Sequence, residues 1–465
     1  DENSSVLDVS SDGSSEKSEI PRHLNPGWHF AVVTSAFTLG SVFAPYTLGA
    51  GGWTLGTLMW IYSYLTTWWS GILIGKCVLH CSAKGVGCSY PEMMQEAFGR
   101  AGYNFTAAMQ ILTYYLVNIS ILVNVADWFL LAQQVAEVQG WVSSGTSCLW
   151  EYILISGVIV IVLAQIPTFR RVLPLAVISL MSTLARQGIL FYHVGSNDLL
   201  SECEPKYGGV TAKSAFSSLA TTAFLFGGHG MFPEEMREMR RPESFFSALH
   251  VAYGILGVVY ATGAYVGYAV WGTWTSGDSQ LNFPMNSATF VSALLSVVWG
   301  LIEMTLSHVL MLSLVEAALG LNGSTSRHSR PLRFVLRTGF ACTEIFFAFM
   351  LSSAGIANIQ AFVGAFGFTA LTYYCPFAAY WKLVLQKEGT SMVQKICYGL
   401  AFASGVLLTV VGVYASMVGM VEEVSAYRLF DTSRCSLSDV VNLQSCSNPC
   451  AAAYGYNVSE CLQTP

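Results

Sequence analysis

Polar and apolar positions in this chain do not alternate; they segregate into long blocks. Eleven apolar stretches stand out, at 28–49, 54–77, 104–135, 151–167, 172–194, 214–232, 244–270, 287–318, 334–353, 357–381 and 394–421. Each is within reach of the ~20 residues that a helix needs to cross a bilayer. Turn-formers such as Gly51-Gly52, Ser143-Ser144-Gly145 and Gly195-Ser196-Asn197-Asp198 separate them. The pattern predicts an all-α polytopic membrane protein with 11 transmembrane helices. Residues 1–25 are acidic, Ser-rich and almost devoid of large apolar groups, so a disordered cytosolic tail is expected there. A transmembrane domain over 26–422 and a cysteine-rich tail over 423–465 complete the layout.

Composition strengthens this picture. The 465 residues are 53% hydrophobic and 11% charged, with a mean hydropathy of +0.51. Soluble domains carry about 25% charged residues, so a water-soluble enzyme is excluded as the default. Seventeen of the 22 Lys and Arg fall on one side of the predicted spans, four on the other, and Arg186 lies within a span. That bias places the N-terminus in the cytosol and, with an odd number of spans, the C-terminus outside the cell or in a lumen.

Six of the 12 cysteines then lie on the outer side: Cys148, Cys203, Cys435, Cys446, Cys450 and Cys461. An even number in an oxidising compartment permits full pairing, and a Cys148 to Cys203 bridge between outer loops is expected, with two more bridges in the tail. Asn457-Val458-Ser459 is a glycosylation sequon on the same side. Cys77, His80, Cys81 and Cys88 lack a zinc-finger spacing, so no metal is expected. There is no Walker A sequence and no local nucleophile arrangement. Neither a nucleotide-driven pump, an enzyme, a nucleic-acid partner nor a cofactor is called for.

Two spans contain their own breakers. In the first, Thr38-Leu39-Gly40-Ser41-Val42-Phe43-Ala44-Pro45 puts Gly five residues before Pro; in the sixth, Gly228 and Pro233 repeat that spacing within Phe226-Gly227-Gly228-His229-Gly230-Met231-Phe232-Pro233. Matching breaks in spans one and six point to an inverted repeat of five helices plus five. Unwound backbone is tolerated at membrane depth only where it lines a polar cavity. Half-helix N-termini there attract a carboxylate, and exposed carbonyls suit an ammonium group or a cation, a chemistry that fits a zwitterionic amino acid.

These residues resemble the amino acid/auxin permease family from about Trp28 to Val421. The opening helix AVVTSAFTLGSVFAPYTLGAGGWTLG, the Tyr90-Pro91-Glu92-Met93 to Ala97-Phe98-Gly99 segment, FGGHGMFPEEMREMRRPESF, and GAFGFTALTYYCPFAAYWKL at 364–383 are similar to family motifs and occur in the family's order. One departure is Thr38-Leu39-Gly40, where members often carry G-[ST]-G. The resemblance implies a LeuT-like 5+5 inverted repeat plus one extra helix. It also implies secondary active transport of amino acids, or of an auxin-like indole acid, coupled to H+ or Na+.

Site residues follow from the two breaks. Leu39, Gly40 and Ser41 are expected to meet the substrate carboxylate, and Phe226, Gly227 and Gly228 its amino group. His229 is the candidate for proton coupling, because imidazole titrates near physiological pH. Glu303 is expected to face the transport pathway, Tyr115 and Asn118 to close over the substrate, and Thr305 and Ser307 to supply a sodium site if Na+ replaces H+. Arg186 is a candidate buried ion pair with Asp127 or Glu303.

The functional expectation is an ion-coupled symporter of neutral amino acids working by alternating access in a plasma membrane or a vacuole-like membrane. The competing expectation is a nutrient receptor or membrane assembly subunit that retains the transporter fold with little flux. The substrate and the lipid bilayer are the expected partners, and the sequence names no protein partner.

Overall fold

The computed structural model describes residues 27–38, 40–85, 89–143, 148–166, 173–196, 205–321, 329–352, 356–386 and 391–424. Leu39, Cys203, Asn457, the predicted tail 1–25 and all of the predicted tail 423–465 beyond residue 424 lie outside them. The helices in chain order are α1 (Gly27–Thr38), α2 (Ala44–Gly51), α3 (Thr57–Ala83), α4 (Tyr90–Val138), α5 (Leu149–Leu163), α6 (Leu173–Gly195) and α7 (Ala212–Leu225). They continue with α8 (Phe232–Arg237), α9 (Phe245–Trp271), α10 (Ser287–Ala318), α11 (Ser329–Leu351), α12 (Ile356–Val363), α13 (Cys375–Tyr380) and α14 (Met392–Val424). Each of the eleven apolar blocks is helical. The first is α1 with α2, the sixth α7 with α8, and the tenth α12 with α13 joined by the π-helical stretch Gly364–Tyr374.

Seven helical runs among the described residues are long and apolar enough to cross a membrane singly. A pair bent by 46°, running from Trp28 to Ala83, raises this to eight by taking the first two blocks together. The fourth block, α5, has 15 residues, and the sixth is divided by its break into pieces of 14 and 6. Breaks and one short helix thus account for the distance between eight and eleven.

Local chemistry sets the helix ends. The Ser89 hydroxyl accepts the Glu92 N–H at 3.4 Å while the Glu92 carboxylate accepts the Ser89 N–H at 2.9 Å, a capping box that starts α4, with Pro91 in the first turn where its missing N–H costs nothing. That start lies well before the predicted 104, because a further helical segment, Tyr90 to Phe98, precedes the span. Gly99, with φ +68°, kinks the chain between the two in a conformation that favours glycine.

Packing divides the helices into two groups, each built from corresponding spans of the chain's two halves. Spans one, two, six and seven contact one another, with α2 against α7 and α9, and α3 against α7, α8 and α9. Spans three, four, eight and nine form the second group: α10 runs along α4, and α11 packs on both α4 and α5. Span five (α6) lies against α1 and α10, and span ten (α12 and Gly364–Tyr374) lies against α7 and α4. The contacts of span five with spans one and eight thus reappear as contacts of span ten with spans six and three. This exchange is what a five-plus-five repeat requires. The eleventh span, α14, packs on span ten and on α7, with an exposed apolar row that includes Leu400, Leu407, Val410 and Val421.

Candidate functional site

The two breaks are built alike. After α1, Gly40 offers its carbonyl to the Phe43 N–H at 3.1 Å, closing one tight turn, and Pro45 sits in the first turn of α2. After α7, Gly228 offers its carbonyl to the Met231 N–H at 3.0 Å, and Pro233 sits in the first turn of α8. Proline cannot donate to the turn before it, so it starts a new helix, and glycine lets the chain turn into that start. Gly228 has φ +127°, where a side chain is strained.

A small cavity lies where the breaks meet. Gly40 lines it from the first break, Phe224, Leu225 and Gly227 from the second, Val117 and Ile121 from α4, Trp299 and Glu303 from α10, and Phe368 from span ten. Val117 and Ile121 are one helical turn apart and so share a face, as do Trp299 and Glu303. Gly227 shapes the wall, since a Cβ there would fall 2.4 Å from Phe368 Cγ. Glu303 supplies the one ionisable side chain among these lining residues. It is 1% exposed, its Oε1 accepts a long 3.5 Å bond from the Ser179 hydroxyl, and among the described residues no cation forms a salt bridge with it, although the Arg186 charge acts on it from a greater distance.

Residues expected from the sequence to form the site separate into three groups. Gly40, Gly227 and Glu303 line the cavity. Ser41 and Phe226 are buried beside it, the Phe226 ring packing against Trp60, Tyr64 and Tyr260. His229 is fully buried and turned towards α3 and α9: its Nε2 donates to the Thr67 carbonyl at 2.8 Å and lies 3.3 Å from the Tyr253 hydroxyl, while Nδ1 has no partner among the described residues.

Tyr115 and Asn118 do share one face of α4, but that face meets α11. Tyr115 packs its ring against Phe340 and Phe347, and the Asn118 amide donates to Glu344 at 2.9 Å. Of the two sodium candidates, Thr305 donates to its own helix at the Leu301 carbonyl, 2.8 Å away, and Ser307 donates to Asn118 Oδ1 at 2.6 Å. Cys148 is buried at the start of α5.

Sequence reasoning missed the residue that joins the breaks. The Tyr260 hydroxyl, on α9, accepts the Gly40 N–H at 3.1 Å and donates to the Leu225 carbonyl at 3.1 Å. No local pattern marks Tyr260 among the chain's 22 tyrosines. Missed as well was a second clasp: Glu234 accepts the Tyr90 N–H at 3.2 Å and the Gln110 amide at 3.4 Å, and Glu235 accepts the Thr34 hydroxyl at 3.4 Å. The Tyr90-Pro91-Glu92-Met93 segment and the Pro233-Glu234-Glu235 segment, two motifs of the sequence, meet in this clasp.

Among the described residues Arg186 forms no direct salt bridge with either expected partner, Asp127 or Glu303, although its charge and that of Glu303 act on each other. Its guanidinium donates to Ser296 at 3.2 Å and Thr183 at 2.8 Å and lies 4.9 Å from the Trp299 ring centroid. Near it, in the loop between α9 and α10, Asp278 accepts the Gln280 N–H at 2.9 Å and the Trp128 indole N–H. Burial pushes the Asp278 carboxyl up to about 6, against the opposing pull of those hydrogen bonds and the Arg186 charge.

An all-α polytopic membrane protein with a cavity between two interrupted helices is the architecture of a transporter. Residues 28–418 match the model of the transmembrane amino acid transporter protein family, and the chain belongs to that family. It is similar to amino acid transporter AVT1B of Arabidopsis thaliana, 24% identical over 83% of this chain and 69% of the relative. Amino acid transporter AVT1J of the same plant is 22% identical over 82% of this chain and 87% of its own length. Amino acid transporter AVT1C is 23% identical over 88% and 72%.

Proposed function

We propose that this protein carries amino acids with small or medium neutral side chains across its membrane by alternating access, as an H+-coupled symporter and not as an enzyme. The observation that supports it best is the meeting of both helix breaks at a cavity whose lining includes one buried carboxylate, Glu303, whose nearest charge, Arg186, is not in direct contact with it. A buried carboxylate that lacks a direct ion pair is costly, and a substrate ammonium supplies one at closer range than Arg186 does. The substrate carboxylate goes to the first break, at Leu39, Gly40 and Ser41. There the Gly40 N–H now donates to a neutral hydroxyl, which a carboxylate replaces with a stronger, charge-assisted bond. Trp299, Phe224 and Phe368 leave the remaining wall apolar, which suits a neutral side chain. An indole acid has no ammonium, and Glu303 disfavours its anion.

Proton coupling belongs to this reading, with His229 as one carrier; Na+ held by Thr305 and Ser307 is the competing ion. A plasma or vacuole-like membrane, a cytosolic N-terminus, a Cys148 to Cys203 bridge and a glycan at Asn457 complete it. The test is uptake into proteoliposomes of labelled amino acids and indole-3-acetate, under pH and Na+ gradients imposed separately. Saturable accumulation of neutral amino acids driven by the pH gradient is expected. Saturable binding without accumulation would instead establish the receptor reading, and accumulation driven by Na+ alone would replace the ion.

A further inference from the structure

Behind the cavity wall, three helices bury a second polar cluster. His308 of α10 and Glu344 of α11 are 1% and 0% exposed, and His308 Nε2 lies 2.7 Å from Glu344 Oε2. His308 Nδ1 lies 2.7 Å from the Met304 carbonyl. A carbonyl oxygen can only accept, so Nδ1 carries a proton. Between Nε2 and Oε2 a second proton must lie, since two lone pairs at that distance repel. Glu344 Oε1 accepts the Asn118 amide at 2.9 Å, and the Ser307 hydroxyl fixes that amide by donating to its oxygen at 2.6 Å. Every polar atom of the pair is thereby engaged.

We infer that His308 and Glu344 form a buried proton-binding site, separate from His229, which is loaded in the conformation seen here and must be unloaded for the transport cycle to advance. The inference rests on the H+-symport reading above. With one shared proton the pair is neutral, either as a carboxylic acid donating to imidazole or, after transfer from Oε2 to Nε2, as a carboxylate with an imidazolium. Losing that proton to water leaves a bare anion among packed helices, a state this conformation does not solvate.

Coupling to substrate has a short physical route. Ser307 is one helical turn beyond Glu303, and Asn118 is next to Val117 and one turn before Ile121, so α10 and α4 each carry a cavity residue and a residue of this cluster. A shift of either helix that opens the cavity changes the bonds to Glu344. The charged and titratable groups on surrounding helices bond elsewhere. Glu303 accepts from Ser179, Arg186 donates to Ser296 and Thr183, and Arg337 of α11 pairs with Glu316 of α10 at 2.7 Å. Glu316 is about 12 Å along the helix from His308. Tyr115 of α4 and Tyr152 of α5 present phenols, not charges.

Two measurements on the full-length protein test this. The first is pH-gradient-driven uptake into proteoliposomes beside substrate counterflow without a gradient, which needs alternating access but no net proton movement. The second is the proton exchanged per substrate bound in weakly buffered detergent, read with a pH dye. Glu344→Gln is expected to keep counterflow within about threefold of the parent while abolishing gradient-driven accumulation and lowering the proton exchange. His308→Gln should do the same and stands in if Glu344→Gln does not fold. Parental accumulation and proton exchange in either folded variant would overturn the proton site while leaving H+ symport intact. A parent protein that ignores the pH gradient and exchanges no proton would overturn both.

Discussion

The Tyr260 hydroxyl accepts the Gly40 amide at 3.1 Å, and through it the first break is tied to the second at Leu225. Both bonds are buried, and both backbone groups belong to residues lining the cavity. Tyr260→Phe leaves the ring packing unchanged and strands a buried donor and a buried acceptor. A cost of about 1–3 kcal/mol is expected, read as a lower midpoint of thermal unfolding, with substrate uptake reduced severalfold. Uptake and unfolding midpoint both equal to the parent's would show that Tyr260 does not hold the breaks together.

Glu303 makes a prediction about recognition. Glu303→Gln keeps shape and removes the charge that the proposed function assigns to the substrate ammonium. Loss of one partner of a buried charged contact costs roughly 2–5 kcal/mol, so half-saturation should rise at least about tenfold for every amino acid. A titration with labelled substrate checks this, and unchanged affinity would place the ammonium elsewhere.

Gly227 leaves no room for a methyl group beside Phe368. Gly227→Ala should overpack the wall by about 1–3 kcal/mol and close part of the cavity, reducing uptake strongly. Adding Phe368→Ala should restore part of it, because the clash is between these two groups. If the double variant were no better than the single one, a backbone effect and not the clash would be responsible.

Asp278 predicts a pH dependence. Its carboxyl protonates near 6 in the folded protein and near 4 in the unfolded chain. Between those values the folded state binds more protons, so stability is greatest at the acid end and falls as pH rises from about 4 to about 6. A shift of this size corresponds to about 3 kcal/mol. Unfolding midpoints of the parent and of Asp278→Asn across that window should diverge, with the parent losing more on the way up. Parallel curves would remove Asp278 as the cause.

Much of this molecule was legible in one dimension. The bilayer imposes a length and a polarity on every crossing segment, so eleven apolar blocks could be counted before any contact was known. The same constraint exposed the breaks, because Gly40 with Pro45 and Gly228 with Pro233 are anomalies in a helix wherever they lie. Glycine and proline act on their own backbone, and their effect travels with the sequence.

What only the tertiary structure decided is which polar groups face which. Asn118 and Ser307 were expected at the substrate and at sodium, yet a rotation of about 100° between neighbouring helix positions puts Val117 on the cavity and turns Asn118 towards Glu344. Glu344 carries no local signal, since its meaning comes from His308, 36 positions away in the chain. Tyr260 likewise matters through Gly40, 220 residues distant. Span number, breaks and family resemblance depend on local pattern and the thickness of the bilayer. The pairing of buried donors and acceptors depends on helix rotation and packing, which the sequence encodes only through the folded whole.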